Sequence, residues 1–278
     1  MQRNKLKKRS PFVFSLLLLC FISSNFSFSQ SLIQKLSDER VSVVSHRGVF
    51  DGNSLENSLN GIRQALVFGI DFFEVDVRKG GDGELYLLHD KSLDRTTQGI
   101  GLLEEKSEEE LSQILLKESG EPLPKFSQLL QFALNQEIYL MLDVKEPILP
   151  EVMEAVRSFG LSDRCLLLTF DRERATEALK ISDEFLISVL VNNSDDLNFY
   201  QGLFSERKFL AYVSKDAPLD LFQLVRNQSI QIVTDVMGTV EANAQLDKGR
   251  SYLVFQEKRH ASVIVSDFPI LLQERLQK

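Results

Sequence analysis

Cysteine is almost missing from this 278-residue chain: there are two, Cys20 and Cys165, and only Cys165 lies outside the apolar N-terminal segment. A single thiol cannot close an internal disulfide, so a stapled scaffold is excluded, and Cys165, within Cys165-Leu166-Leu167-Leu168, reads as a small core residue. A basic surplus is missing too. The chain has 32 Lys and Arg against 40 Asp and Glu, net −8, which argues against nucleic acid or anionic membrane surfaces as general partners, since both reward clustered positive charge. No Pro/Gly-rich seam divides residues 40–278 and no unit recurs at a fixed period, so neither a two-domain split nor a repeat array is indicated. No Gly-rich nucleotide fingerprint follows the first candidate strand, which weakens an open dinucleotide-binding sheet. Histidine is scarce at three residues, and two of them, His46 and His89, bracket a pair of closely spaced carboxylates.

The one extended apolar run, Phe12 to Ile22, follows Arg3, Lys5, Lys7, Lys8 and Arg9. At about a dozen residues it has the length of a signal h-region and is short for a membrane span. Ser27 and Ser29 supply small residues at the −3 and −1 positions, so residues 1–29 read as a cleaved signal peptide, with Gln30 first in the mature chain. Cys20 is preceded by bulky Leu19, which argues against a lipid-attachment site. The expectation is an exported protein, periplasmic or secreted, without stable membrane insertion after cleavage. Its mature form of 249 residues carries 27 basic and 40 acidic side chains, net −13. An anionic substrate would then have to be attracted locally, for example by a bound cation.

Across residues 30–278, short β-rich apolar runs alternate with helical patterns, the signature of parallel strands joined by crossover helices. The candidate strands are 41–45, 72–77, 138–144, 165–170, 185–191, 209–214, 230–236 and 262–266. Eight strands in about 250 residues point to an α/β fold, a closed TIM (β/α)8 barrel. The connection over residues 80–125 is too long for a simple crossover. It reads as a small insertion after the second strand, a hairpin through Gly80-Gly81-Asp82-Gly83 followed by an acidic helix around Glu104–Leu116, placed over the C-terminal mouth where such barrels keep their active sites.

Glu74 and Asp76 are two apart on the second strand, so they share its inward face, with Phe73, Val75 and Val77 turned towards the helices. Two buried carboxylates repel one another unless a cation neutralises them, and oxygen ligands alone suit Mg2+ or Ca2+ rather than zinc. On the third strand, Asp143 and Lys145 share a face, one able to complete a metal site and the other to hold a phosphate oxygen. His46 and Arg47 end the first strand, with Gly48 letting the backbone turn, and His89 returns to the same region by the hairpin. Two histidines at one phosphate allow in-line displacement, one as base and one as acid, and Arg47 offers a two-pronged fork to phosphate. His260, before the last strand, reads as surface.

These residues resemble a family. His46-Arg47-Gly48, Leu55-Glu56-Asn57-Ser58, Gly69 through Val77 and His89-Asp90-Lys91-Ser92-Leu93-Asp94-Arg95-Thr96-Thr97 are similar to the motifs of glycerophosphodiester phosphodiesterases. The likeness is dense over residues 43–101 and looser through Pro122-Leu123-Pro124, Asp143–Lys145 and Val263 to Pro269. The resemblance implies a TIM barrel that hydrolyses glycerophosphodiesters to sn-glycerol 3-phosphate and an alcohol with a divalent cation, Ca2+ or Mg2+. It implies Glu74, Asp76 and Asp143 as metal ligands and His46 and His89 as the acid/base pair. Arg47 would bind the phosphate, and Glu56 would sit at the site, helping to hold metal or substrate. In the implied mechanism the glycerol 2-hydroxyl attacks phosphorus and water then opens the cyclic phosphate. Two positions depart from the pattern: Asp143 stands where many members carry Glu, and Ile232-Val233-Thr234-Asp235-Val236 lacks the aromatic of the seventh-strand motif. The second departure leaves open a different head group. A phospholipase C- or D-like lipid phosphodiesterase, or a non-catalytic barrel binding phosphate ligands, are the alternative readings.

Overall fold

A computed structural model describes residues 31–52, 55–181, 183–205 and 207–277; the signal peptide read at 1–29 lies outside the described residues. Among the described residues the strands are β1 (Ser42–Ser45), β2 (Phe72–Lys79), β3 (Leu85–Leu87), β4 (Tyr139–Val144), β5 (Cys165–Thr169), β6 (Leu186–Leu190), β7 (Leu210–Tyr212), β8 (Ile232–Asp235) and β9 (Val263–Ser266). Every strand but β3 falls within one of the eight runs read from the sequence or overhangs it by two residues, as β2 does. All pair in parallel in the order β1-β9-β8-β7-β6-β5-β4-β2, and β1 meets β2 at Ser45 and Phe73, so the sheet closes on itself. The result is the α/β (β/α)8 barrel expected. β3 is the exception, antiparallel to β2 through Val77–Leu87, Arg78–Tyr86 and Lys79–Leu85, and it forms the hairpin of the insertion.

The period-two alternation of the strands divides the core. Phe73, Val75 and Val77 pack outward with Leu140, Leu142 and helix residues such as Ile62 and Leu129. Phe72, Tyr139, Met141, Leu166, Leu186, Leu210, Val233 and Val263 fill the barrel interior. Buried Cys165 belongs to the outer set, and burial raises its thiol pKa, as suits an inert core residue. The helices follow the same logic: in Leu59–Val67 the Ser58 hydroxyl accepts the Gly61 N–H at 2.9 Å, and Ile62 and Ala65 form the buried face.

The lower end of the barrel is stoppered. The short helix Leu32–Lys35 is closed at its start by a capping box between Ser31 and Gln34, and buries Leu32 and, just beyond it, Leu36 among the interior residues. Lys35 pairs with Asp71 at 2.7 Å, immediately before β2. Over the other end, residues 80–125 carry a separate apolar cluster of Tyr86, Leu88, Leu93, Leu103, Leu111, Ile114, Leu116 and Leu123. The acidic helix expected there is shorter than the sequence suggested: a 3-10 turn at Leu103–Glu105 and a helix at Glu108–Ser112. Ser107 caps its first turn in a box with Glu110, but the residues beyond it are drawn into β-bridges, Leu115 with Pro122 and Leu116 with Thr97, so the helix stops.

Candidate active site

Strands β2 and β4 change character along their length. Their inward positions run from Phe72 and Tyr139 at the lower end, through Glu74 and Met141, to Asp76 opposite Asp143 in register. The pleat therefore stacks the acids in two successive inward layers near the C-terminal mouth, Glu74 below Asp76 and Asp143, above an apolar floor. Ligand oxygens of Glu74, Asp76 and Asp143 lie within 4.8 Å of one another. Glu74 and Asp76 are buried, and the Asp143 side chain is 14% exposed.

Local electrostatics differ across the trio. Burial first, and then the charge of Asp76, push the Glu74 carboxyl well above its ordinary pKa. Burial works the same way on Asp76, but Lys145 and Asn57 outweigh it and hold Asp76 low. Asn57 donates to Asp76 Oδ2 at 2.7 Å and accepts the Asp76 N–H at 3.0 Å. Lys145 Nζ donates to Asp76 Oδ1 at 2.8 Å and to Asp143 Oδ2 at 2.5 Å. Lys145, and Arg47 from 3.5 Å, face the three carboxylates, and Arg47 is shared with Glu56, so negative charge still exceeds positive in this low-dielectric site. That donor set, all oxygen and short of countercharge, fits a hard divalent cation.

Arg47 turns off the end of β1 in the left-handed region, φ 53° and ψ 24°, a conformation costing about 1–2 kcal/mol for a residue with a Cβ. The turn is held at both ends: the Arg47 N–H donates to Glu74 Oε2 at 2.7 Å and its carbonyl accepts the Asn57 N–H at 2.6 Å. Gly48 follows, also at positive φ, and a Cβ there would lie 2.7 Å from Ile62 Cγ1. The Arg47 guanidinium lies between Glu56, whose two oxygens are each 3.3 Å from Nη1, and Asp76, whose Oδ2 is 3.5 Å from the buried Nε; among the described residues that Nε makes no hydrogen bond.

His46 points Nδ1 at Asp267 Oδ1, 2.6 Å away, and its Nε2 lies 3.9 Å from Glu74. A carboxylate can only accept, so Nδ1 donates and Nε2 is turned to the carboxylate layer. Burial lowers the His46 pKa, but the Asp267 hydrogen bond and the charges of Glu74 and Asp267 raise it further, leaving a net upward shift. Asp267 is itself anchored from behind. Buried Glu241 accepts the Ser266 hydroxyl at 2.5 Å and the Asp267 N–H at 2.8 Å.

His89 hangs from the insertion hairpin, its ring Nδ1 2.8 Å from Asp90 Oδ1 and its carbonyl accepting from Arg78 Nε at 2.9 Å. Protonated, His89 helps hold the Asp76 carboxyl down, so the two share one electrostatic neighbourhood. The structure thus brings His46, Arg47, Glu74, Asp76, Asp143 and Lys145 to one end of the barrel, with His89 above them. Glu56 reaches the same region through Arg47 and Arg95, with Arg95 donating to both its oxygens at 2.7 Å. His260 is exposed, as expected.

Several contributors were invisible as such in the sequence. Asp267 appeared only as part of a terminal motif, 221 positions from His46. Where β8 lacks an aromatic, the neighbouring strand supplies one: Tyr212 ends β7, donates to Asp235 at 2.8 Å and meets Phe170 edge-on at 5.7 Å. Asp235 also pairs with Lys215 at 3.1 Å. An aromatic at the end of β7 rather than within β8 is a signal that strand-by-strand motif matching passes over.

Residues 46–246 match the sequence profile of the Glycerophosphoryl diester phosphodiesterase family. A glycerophosphodiester phosphodiesterase of Caldanaerobacter subterraneus subsp. tengcongensis is 24% identical over 160 residues, covering 53% of this chain and 65% of that relative, just under two thirds of its length. A glycerophosphoryl diester phosphodiesterase from Parabacteroides distasonis superposes with a TM-score of 0.74 at 20% identity, over 88% of this chain and 91% of the other. An Oleispira antarctica phosphodiesterase, solved in complex with the product sn-glycerol-3-phosphate, superposes with a TM-score of 0.69 at 18% identity, over 87% and 99%. At such identities the two structures speak for the fold.

Proposed function

The chain belongs to the glycerophosphoryl diester phosphodiesterase family, and from that membership we propose that it hydrolyses glycerophosphodiesters to sn-glycerol 3-phosphate and an alcohol, with a divalent cation, Ca2+ or Mg2+, held by Glu74, Asp76 and Asp143. The observation that carries this reading is the convergence of three acids within 4.8 Å beneath two histidines, each with its Nδ1 bonded to a carboxylate. When bound, the cation supplies positive charge for the phosphate oxygens and acidifies a hydroxyl.

The residues of the chain divide the remaining work. Arg47 and Lys145 present positive charge to the phosphate, Arg47 from between Glu56 and Asp76 and Lys145 from the edge of the acid pair. Glu56 holds the Arg47 guanidinium in place from 3.3 Å. With Nδ1 occupied on both rings, His46 and His89 each offer Nε2 to the reaction. One imidazole accepts the proton of the glycerol 2-hydroxyl as its oxygen bonds to phosphorus; the other delivers a proton to the departing alcohol oxygen as the P–O bond breaks. Water then opens the cyclic phosphate with the roles exchanged, which returns both rings to their starting states.

Purified protein supplied with glycerophosphocholine and Ca2+, Mg2+ or Mn2+ should release glycerol 3-phosphate. The release should stop with EDTA, and His46→Ala or His89→Ala should each lower kcat by about 100-fold or more. Turnover that survived both EDTA and His46→Ala would sink the mechanism, and turnover confined to intact phospholipids would move the assignment to a lipid phosphodiesterase. We also propose that residues 1–29 direct export and are removed. N-terminal sequencing of protein from the exported fraction should then begin at Gln30.

A further inference from the structure

We propose that Arg95 is the positioning residue for His89, clasping Glu56 and Asp90 together so that Asp90 fixes which nitrogen of the His89 ring meets the phosphate. The inference rests on the phosphodiesterase reading for its activity arm, and on geometry alone for the rest.

Four carboxylate oxygens converge on one guanidinium. Arg95 donates to Glu56 through Nη1 and Nη2, both at 2.7 Å, and to Asp90 through Nε at 2.6 Å and Nη2 at 3.2 Å. Glu56 belongs to the loop after β1 and Asp90 to the insertion, so the clasp joins two segments that share no strand pairing. The fork of an arginine can grip two carboxylates in fixed planes; a lysine ammonium, a point charge on a flexible stem, cannot.

The main chain of His89 is already fixed without the clasp. Its carbonyl accepts from buried Arg78, which is tied in turn to Glu146 at 2.7 Å, and the preceding Leu88 N–H donates to the Asp76 carbonyl at 3.1 Å. What remains free is rotation of the imidazole and its choice of tautomer. Asp90 is the group that decides both, through the 2.8 Å contact to Nδ1. Its carboxyl lies far below the ordinary range, chiefly through its hydrogen bonds from Arg95, so it stays an acceptor and Nδ1 must carry the hydrogen. The Arg95 side chain is 47% exposed. Ion pairs that exposed add little stability, which points to orientation as the role of this one.

With three histidines in the chain, the imidazole nitrogens can be assigned by nuclear magnetic resonance using His46→Gln, His89→Gln and His260→Gln. In the protein without added cation, His89 should be the Nδ1–H tautomer. Arg95→Met should convert it to a mixture, with Arg95→Lys intermediate, while the His46 signals stay in place. In turnover, Arg95→Met should lower kcat by about 10- to 100-fold, as loss of an orienting partner does, with KM changed less than about threefold and the melting temperature retained. Added methylguanidinium should restore part of kcat to Arg95→Ala and none to His89→Gln. An unchanged His89 tautomer and unchanged kcat in Arg95→Met would overturn the proposal. Should Arg95→Met fail to fold, Arg95→Lys and Glu56→Gln decide it by the same spectra. Should the unsubstituted protein hydrolyse no glycerophosphodiester, the phosphodiesterase reading fails while the tautomer measurement still judges the clasp.

Discussion

A proton on Glu74 competes with the cation proposed for the acid trio. The Glu74 carboxyl is buried beside the charged Asp76, which raises its pKa, so in the cation-free protein it is protonated well above the ordinary glutamate range. The sign of the linkage follows from the direction of the shift. The folded state binds this proton more tightly than the unfolded chain does, so its contribution to stability is complete below the ordinary value of 4.5 and is lost as pH rises through the raised value. In cation-free protein the Glu74 contribution should therefore fall as pH climbs through the raised value, opposite in sign to that of the depressed Asp76 and Asp90, and Glu74→Gln should remove it. A divalent ion needs Glu74 ionised, so binding should expel a proton near neutrality and tighten with pH. Titration calorimetry in buffers of different ionisation enthalpy reads that proton directly, and Glu74→Gln should abolish its release while weakening binding. Equal apparent enthalpies in all buffers for the unsubstituted protein would contradict the assignment of Glu74 as a ligand.

Secondary-structure elements show where sequence reading succeeded and where it stopped. The inward placement of Glu74 and Asp76 was legible because period-two alternation is local: Phe73, Val75 and Val77 demand the outer core, and the acids must take the other face. All eight barrel strands were legible for the same reason. The contact between His46 and Asp267 was not, because it depends on β1 lying beside β9 in the register Ser45–Ser266, a product of barrel closure that no window of sequence contains. Nor was the left-handed turn at Arg47, which survives through its hydrogen bonds to Glu74 and Asn57 rather than through its own propensity. The helix Leu32–Lys35 went unread as well: four residues carry too short a pattern, and its role comes from what it covers. Leu32 and Leu36 close the apolar interior, and the Leu36 carbonyl accepts from Gln231 ahead of β8. Leu32→Ala should cost about 2–5 kcal/mol, the range for truncating a buried leucine, seen as a lower midpoint in urea. At temperatures where the variant is folded, its kcat should match the unsubstituted protein, because the stopper sits at the end of the barrel away from the acids.

At the scale of the whole molecule the barrel separates what holds it together from what it does. Apolar layers and the stopper occupy the lower end, while the upper end gathers charge in excess of what packing needs: Glu74, Asp76 and Asp143 against Lys145 and an Arg47 shared with Glu56, in a chain already carrying net −8. A fold with surplus buried carboxylates should be more stable with a cation than without, since an ion that binds only the native state adds about 2.7 kcal/mol at a hundredfold excess over its Kd. For a domain of this size that corresponds to a rise in melting temperature of about 5–10 °C. Thermal unfolding with EDTA, and then with Ca2+ or Mg2+ titrated in, measures the shift. Glu74→Gln combined with Asp76→Asn should remove it, whereas Leu32→Ala should lower both curves equally and leave the gap between them, because distant sites with no shared partner add. A cation shift that persisted in the double variant would place the ion elsewhere, and one that vanished in Leu32→Ala would mean that the two ends are coupled through the barrel.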